Sequence, residues 1–523
     1  MESESPGSQA GPPRARARAA GIALAGLLAL ELALVWSHPR LPTNDGPEHQ
    51  YSAWVAHRLR VDPGGPLARW FELNPRTIYP NVGYSWFLQA LADRLPMASA
   101  EKLGASLFLL ALPAAAALFA RSWGRRGDLA ALVAVALSLG FPFFMGFFNF
   151  LWGVPLALLF WANVGSLIRE RSLARLLLSN LLLALTFCAH LVAFAVAAGG
   201  GLVLIASAWR RRPWMGLLGL LPVVAVAPLF WPRTVGLGAA FAWQEGPAER
   251  LVQTLGLGVA TAHGGAERVG AAVVGVGLCV LLAVGLRRVA ARSAPLLWLV
   301  AALFVLALAS PSAVGSGSFL GERVMLFFWL AAAAVIEPPP GRWRTATAAL
   351  LAAAVVAHLA ALEIRMRSFD RELADYLAAA REIPAGAALY GFSYTAQHRA
   401  LVAAPMATAD ALVHLELASP DFRLYQAVPP DAPYFPIRYT EAGRKRHPRR
   451  ALHARLPLFR IQGWAGALLV WRAPPTELRR IERTGRYRQI FARGRTRLFA
   501  RRSEGAGAGA GRSQPGPAPI ESP

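Results

Sequence analysis

The chain alternates between long apolar runs and short polar breaks, most of them carrying arginine. A helix that crosses a bilayer needs about 20 mostly apolar residues. Such runs fall near 20–37, 101–120, 128–145, 150–168, 174–189, 191–208, 214–231, 268–286, 294–310, 323–337 and 344–362. They predict a mainly α fold, a polytopic transmembrane helix bundle of about eleven spans. The first run is too long, and too closely followed by others, for a cleaved signal peptide, and it lacks a small-residue cleavage site. The pairs that meet near Gly146 and His190 must each turn within a few residues.

From about residue 363 the pattern changes. Phe369, Leu373, Tyr376 and Leu377 mark an amphipathic helix, and Ile383-Pro384-Ala385-Gly386 marks a turn. Ala387–Tyr390, Gly466–Trp471 and Arg497–Ala500 then read as strands. Helices mixed with strands predict a small C-terminal α/β or α+β domain over 363–502. The Gly-Ala, Pro and Ser tail 503–523 is low-complexity and expected to be disordered, as is the polar tail 1–19.

Composition agrees with a membrane protein. Hydrophobic residues make up 55% and charged residues only 16%, against roughly 25% charged in soluble domains. An ordinary soluble enzyme and a disordered chain are both excluded. Cys188 and Cys279, the two cysteines, lie inside apolar runs and form no disulfide framework. The net charge of +24 is almost all arginine, since lysine occurs only at Lys102 and Lys445. With so much Ala and Gly this is the mark of GC-rich coding rather than of a nucleic-acid partner. The arginines cluster at alternate connections: Arg14/Arg16/Arg18, Arg121/Arg125/Arg126, Arg169/Arg171/Arg175, Arg210–Arg212, Arg287/Arg288/Arg292 and Arg342/Arg344. The turns near Gly146, His190 and Ser312 carry essentially none. Positive connections face the cytoplasm. The N-terminus is therefore expected inside, and loops 38–100, 232–267 and 311–322 and the C-terminal domain outside.

Candidate chemistry is concentrated in the first outer loop, Leu41-Pro42-Thr43-Asn44-Asp45-Gly46-Pro47-Glu48-His49-Gln50. Pro47 opens a helix over 47–60, and Asp45 stands three residues from Glu48 and four from His49. The group suits general-base activation of a hydroxyl, or one divalent cation held by oxygens. It equally suits a helix start, with Asp45 as N-cap, Pro at N1 and Glu48 complementing the dipole. Walker, His-Glu-x-x-His, CxxC and Gly-x-Ser-x-Gly motifs do not occur.

A first span, an outer loop with an Asp-centred acidic motif, further spans and an outer C-terminal domain together resemble the GT-C class of integral membrane glycosyltransferases. The resemblance covers about 20–362 as architecture and 41–50 as a motif. It implies sugar transfer from a polyprenyl-phosphate-linked donor to an anionic glycan or lipid acceptor of the cell envelope, at the outer face of a bacterial inner membrane. Asp45 then takes the place of the class's base or metal ligand, Glu48 that of the second carboxylate and His49 that of a substrate contact. A divalent cation, Mg or Mn, is the implied cofactor, with Asp45 and Glu48 as its ligands. The chain departs from the class in having Asn44-Asp45 where two adjacent acids are usual.

Further candidates follow downstream. Glu322-Arg323 opens the tenth span after the Gly315-Ser316-Gly317-Ser318 loop. An ionisable pair at a membrane edge needs a partner, and an arginine suits a lipid phosphate; a local Glu322–Arg323 salt bridge is the plain alternative. The resemblance implies a phosphate-holding cation on a late outer loop, hence Arg323. Asn149 faces a cavity or caps a helix, and His190 is a substrate contact or a satisfied interfacial residue. Pro75–Tyr84 lines a sugar site or forms an aromatic belt, Trp243, Gln244, Glu245 and His263 are polar enough to touch a glycan, and Glu31 inside the first span has no partner evident in sequence. Two other functions stay open: a lipid or polysaccharide transporter or flippase, with ionisable groups near the midplane, and a non-catalytic assembly protein.

Overall fold

A computed structural model describes residues 13–75, 80–170, 172–208, 214–226, 241–243, 245–261, 265–287, 294–314, 317–339, 341–384, 387–394, 409–416, 435–446, 456 and 458–502. Of the tails expected to be disordered, 1–12 and 503–523 lie outside these residues, whereas 13–19 belong to the first helix, whose apolar run they extend toward the N-terminus. Arg76–Tyr79, Gln244, His263 and Gly315–Ser316 also lie outside the described residues. The chain divides into two compact units, 1–377 with 395–452, and 378–394 with 453–523.

The first unit is a polytopic bundle of apolar helices. Its helices are α1 (Pro13–Ser37), α2 (Gly46–Val61), α3 (Gly83–Leu91), α4 (Met97–Ser122), α5 (Gly127–Ser138), α6 (Phe148–Glu170), α7 (Leu173–Ala189), α8 (Leu191–Ser207), α9 (Pro247–Leu255), α10 (Ala266–Leu286), α11 (Ala294–Ala309), α12 (Leu320–Val335), α13 (Arg342–Ala380) and α14 (Ala409–Glu416). Short helical pieces complete it at Pro66–Arg69, Phe141–Phe144, Trp214–Leu218 and Gly258–Ala260. By length and composition, α1, α4, α6, α10 and α13 can each cross a membrane, and α5, α7, α8, α11 and the segment Trp214–Val226 are shorter apolar helices. Each predicted run therefore carries a helix.

The run 128–145 is not one helix, however. It breaks at Leu139 and Gly140, where the backbone turns extended ahead of Pro142. A proline at the start of Phe141–Phe144 tolerates a new helix start and cannot continue the old helix. In the other direction, α13 continues well past the predicted end at 362, and Phe369, Leu373 and Tyr376 are simply its buried face. The boundary expected at 363 thus falls inside a helix. Residues 395–452, expected in the C-terminal domain, group instead with the helical unit. There Ile437–Tyr439 pairs antiparallel with Phe71–Leu73, and α14 packs on α2. Tyr51, Val55, Leu59, Trp70, Phe71, Ile437 and Tyr439 form a small separate core beside the main one.

The connections sort by chemistry. Arg125 donates to the carbonyl of Val335 at 2.9 Å, at the C-terminal end of α12, and pairs with Glu337 at 2.8 Å. Arg169 donates to the Ser122 carbonyl, and Arg344 pairs with Asp128. The arginine-bearing connections thus contact one another. The arginine-poor ones also meet: the loop 41–45 runs beside 144–146, and Val82 donates to the carbonyl of Cys188 at 2.9 Å.

The second unit carries a mixed four-stranded sheet. Its strands are β1 (Leu389–Ser393), β2 (Ala467–Trp471), β3 (Tyr487–Arg493) and β4 (Thr496–Arg501), in the order β1-β2-β4-β3. β1 and β2 are parallel, and the other pairings are antiparallel. Helix α15 (Pro475–Arg483) joins β2 to β3 and buries Ile481 in the sheet's core, with Tyr390, Leu468, Val470, Tyr487 and Phe499. This is an α+β unit, as predicted. β3 went unread in the sequence because its exposed face is mostly Arg and Gln.

Candidate active site

The site is built on the loop between α1 and α2. Pro39 and Pro42 prevent α1 from continuing. The loop then lies against the turn after Phe141–Phe144: Asn44 donates to the Phe144 carbonyl at 2.9 Å and Asp45 to the Met145 carbonyl at 3.1 Å. Gly146 makes this approach possible. Its φ is +74°, and a Cβ there would come within 2.8 Å of both the Asp45 and Gly46 nitrogens. Gly46 is equally constrained on its other side, where a Cβ would fall 2.1 Å from a Glu101 oxygen and from the Thr43 hydroxyl. The Asp45-Gly46 step is thus held between a backbone turn and a buried carboxylate.

Asp45 sits at the N-cap position of α2, but its side chain makes no capping hydrogen bond. One of its oxygens accepts from Asn44 Nδ2 at 2.6 Å. Burial pushes the carboxyl up to about 6, opposed by the Asn44 hydrogen bond and by the positive charge of Arg323. The cap reading therefore covers the position of Asp45 and leaves its carboxylate unexplained. His49 is pulled down to about 4 by burial, against a hydrogen bond to the Gly146 backbone, so it is neutral at pH 7. Its ring meets Tyr84 edge-on at 5.8 Å. Glu48 is buried in the first turn of α2.

The opposite wall is Arg323, in the first turn of α12. It is buried, with its guanidinium 4.2 Å from the Phe147 ring and 5.5 Å from that of Phe150. Nη1 lies 3.2 Å from Nε2 of His190, and Nε has no hydrogen-bond partner. No carboxylate among the described residues lies within 4 Å of it, yet Asp45 is near enough for the two charges to stabilise each other. A buried cation without an ion pair is costly. The local Glu322–Arg323 bridge is not formed. Glu322 faces Arg250 instead, at 3.7 Å, and Arg250 also pairs with Glu245 at 3.0 Å and donates to Ser312 Oγ at 3.0 Å. Arg250 thereby takes up both acids of the loop and leaves Arg323 turned toward Asp45 and His190.

Asp45 and His49, His190, and Arg323 thus come together from three separate stretches of sequence. Asn149 stands behind them: its Oδ1 accepts the Tyr84 N–H at 3.2 Å in the first turn of α3, which fixes the ring beside His49. Trp243 is exposed. Glu31 does have a partner, Ser138, which donates to it at 2.5 Å inside the bundle. The sequence reading missed Glu101, which accepts from Gln50 Nε2 at 2.8 Å beneath Gly46. It also missed His38, clasped between Asp370 at 2.6 Å and Glu363 at 2.9 Å, with Lys102 donating to the His38 carbonyl. The available signal was Glu101-Lys102 itself, a charged pair opening an apolar span.

Among the described residues no three His, Cys, Asp or Glu side chains gather as a metal site, and Asp45 faces a guanidinium. A divalent cation on Asp45 and Glu48 would find no third such side chain beside them among the described residues.

No protein-family model matches the chain, and no curated protein matches it in sequence. Among solved structures it is similar to the crystal structure of ArnT from Cupriavidus metallidurans bound to undecaprenyl phosphate. That match has 14% identity and a TM-score of 0.46, over 94% of this chain and 99% of that one.

Proposed function

We propose that the protein is a membrane glycosyltransferase of the GT-C type, moving a sugar from a polyprenyl-phosphate donor to a hydroxyl of a cell-envelope acceptor. The observation that carries this reading is the meeting of Asp45, whose carboxyl makes no capping bond and is pushed up to about 6, with a buried Arg323 that has no ion pair among the described residues. The carboxylate of Asp45 takes the proton of the acceptor hydroxyl. The hydroxyl oxygen bonds to the anomeric carbon as the bond from that carbon to the phosphate oxygen breaks. The leaving phosphate gains negative charge, and Arg323 stabilises it in surroundings that strengthen the interaction. Glu48 is kept as a second carboxylate of the loop, and His49 and Asn149 as groups that shape the acceptor side through Tyr84.

The arginine-bearing connections define the cytoplasmic end, so the site opens on the outer face of a bacterial inner membrane. The acceptor is an anionic glycan or lipid, to which the basic second unit is electrostatically suited. The test is transfer of radiolabelled sugar from a polyprenyl-phosphate-sugar pool to envelope material. Asp45→Asn at normal protein level is expected to transfer nothing; transfer equal to wild type would return Asp45 to a purely structural role.

A further inference from the structure

His190 stands at the break between α7 and α8, with a donor facing each ring nitrogen. Nδ1 is 3.0 Å from the backbone N–H of Val192 and accepts it, capping α8. Nε2 is 3.2 Å from Nη1 of Arg323. A neutral imidazole has one N–H and one acceptor nitrogen, and a guanidinium has no acceptor at all. Both contacts therefore cannot be ordinary hydrogen bonds to a neutral ring. If Nδ1 accepts from Val192, then Nε2–H meets a second donor. The other tautomer sets Nδ1–H against an amide fixed in the first turn of a helix, where nothing can move to relieve it. At Nε2 relief is available, because one acceptor oxygen can take both Nε2–H and Nη1–H. Arg323 is also the group that lacks an ion pair and keeps Nε unpartnered.

We infer that His190 is a neutral hydrogen-bond donor which shares one phosphate oxygen of the donor lipid with Arg323. The inference rests on the reading that Arg323 holds the donor phosphate. Few titratable groups among the described residues face the clamp. Asp45, from the α2 loop, and Glu322, on α12, act on Arg323, and His49, on α2, acts on His190. Glu322 is shared with Arg250.

The full-length protein in nanodiscs is titrated calorimetrically with farnesyl phosphate and with its methyl diester. Wild type is expected to bind both. His190→Asn keeps an acceptor for Val192 and loses the distal N–H, so diester affinity falls about tenfold. His190→Asp also caps α8 but adds a negative charge, and diester binding is expected to vanish. In an Asp45→Asn background the diester affinity stays flat from pH 5.5 to 8, because the ring stays neutral. Unchanged affinity in His190→Asn, or an affinity that falls as pH rises through 6 to 7, would overturn the inference. Arg323→Gln separates the two levels. If it binds the diester as wild type does, the phosphate reading falls together with the clamp. If it loses binding while His190→Asn does not, only the role of His190 falls.

Discussion

At the residue scale, activity turns on the proton of Asp45. A base must be ionised to work, so the rate of sugar transfer is expected to rise as pH passes about 6 and to level off above pH 7. The linked stability runs the other way. The folded carboxyl, at about 6, binds its proton more tightly than the unfolded one, at 3.8. Its contribution is therefore fully present at low pH and is lost as pH rises through the folded value. Asp45→Asn is expected to melt higher than wild type at pH 7.5 and equally at pH 3.5, by at most about 3 kcal/mol. A lower melting point at pH 7.5 would mean that the carboxylate stabilises the fold. Much of this was legible in the sequence, because Asp45, Glu48 and His49 stand in a short polar segment between apolar runs. The companions were not. Glu101 is hidden at the mouth of an apolar helix, and its contact with Gly46 exists only once α4 packs beside α2.

Among the elements, the two glycines decide whether the loop can reach its place. Gly146→Ala puts a side chain on a left-handed backbone and against two loop nitrogens. It is expected to cost about 1–2 kcal/mol and to reduce transfer far more than protein level, since it pushes Asp45 away from Arg323. Gly46→Ala drives into the Glu101 carboxyl and Thr43, where overpacking costs roughly 1–3 kcal/mol. Thermal unfolding read beside transfer activity checks both, and a Gly146→Ala protein of full activity would show that the loop position does not matter. Helices were readable to within a few residues because a run of about 20 apolar residues has few alternatives. The failures had local causes: Pro142 divided one predicted span, and α13 continued where its composition turned amphipathic.

Across the whole molecule, the arginine pattern predicts which end faces which compartment. Ser318, at the exposed end of the strand pair before α12, lies on the arginine-poor side, and exposed Trp343 lies beside the arginines that open α13. In intact cells a Ser318→Cys protein is expected to react with a membrane-impermeant maleimide, and Trp343→Cys only after permeabilisation. The reverse result would invert the topology. Connection between distant segments was the part the sequence could not supply. Ile437–Tyr439 pairs with Phe71–Leu73 across more than 350 residues, and no local pattern marks either as the other's partner.

The most direct test compares Asp45→Asn with wild type in one preparation at pH 7.5, reading sugar transfer together with affinity for polyprenyl phosphate. If Asp45 and Arg323 act on the same bound molecule, removing the carboxylate abolishes transfer and also relieves repulsion of the phosphate. The variant should therefore bind the lipid phosphate at least about threefold more tightly while transferring no sugar. Lost transfer with unchanged or weaker binding would mean that the phosphate is held away from Asp45, and retained transfer would mean that Asp45 is not the base.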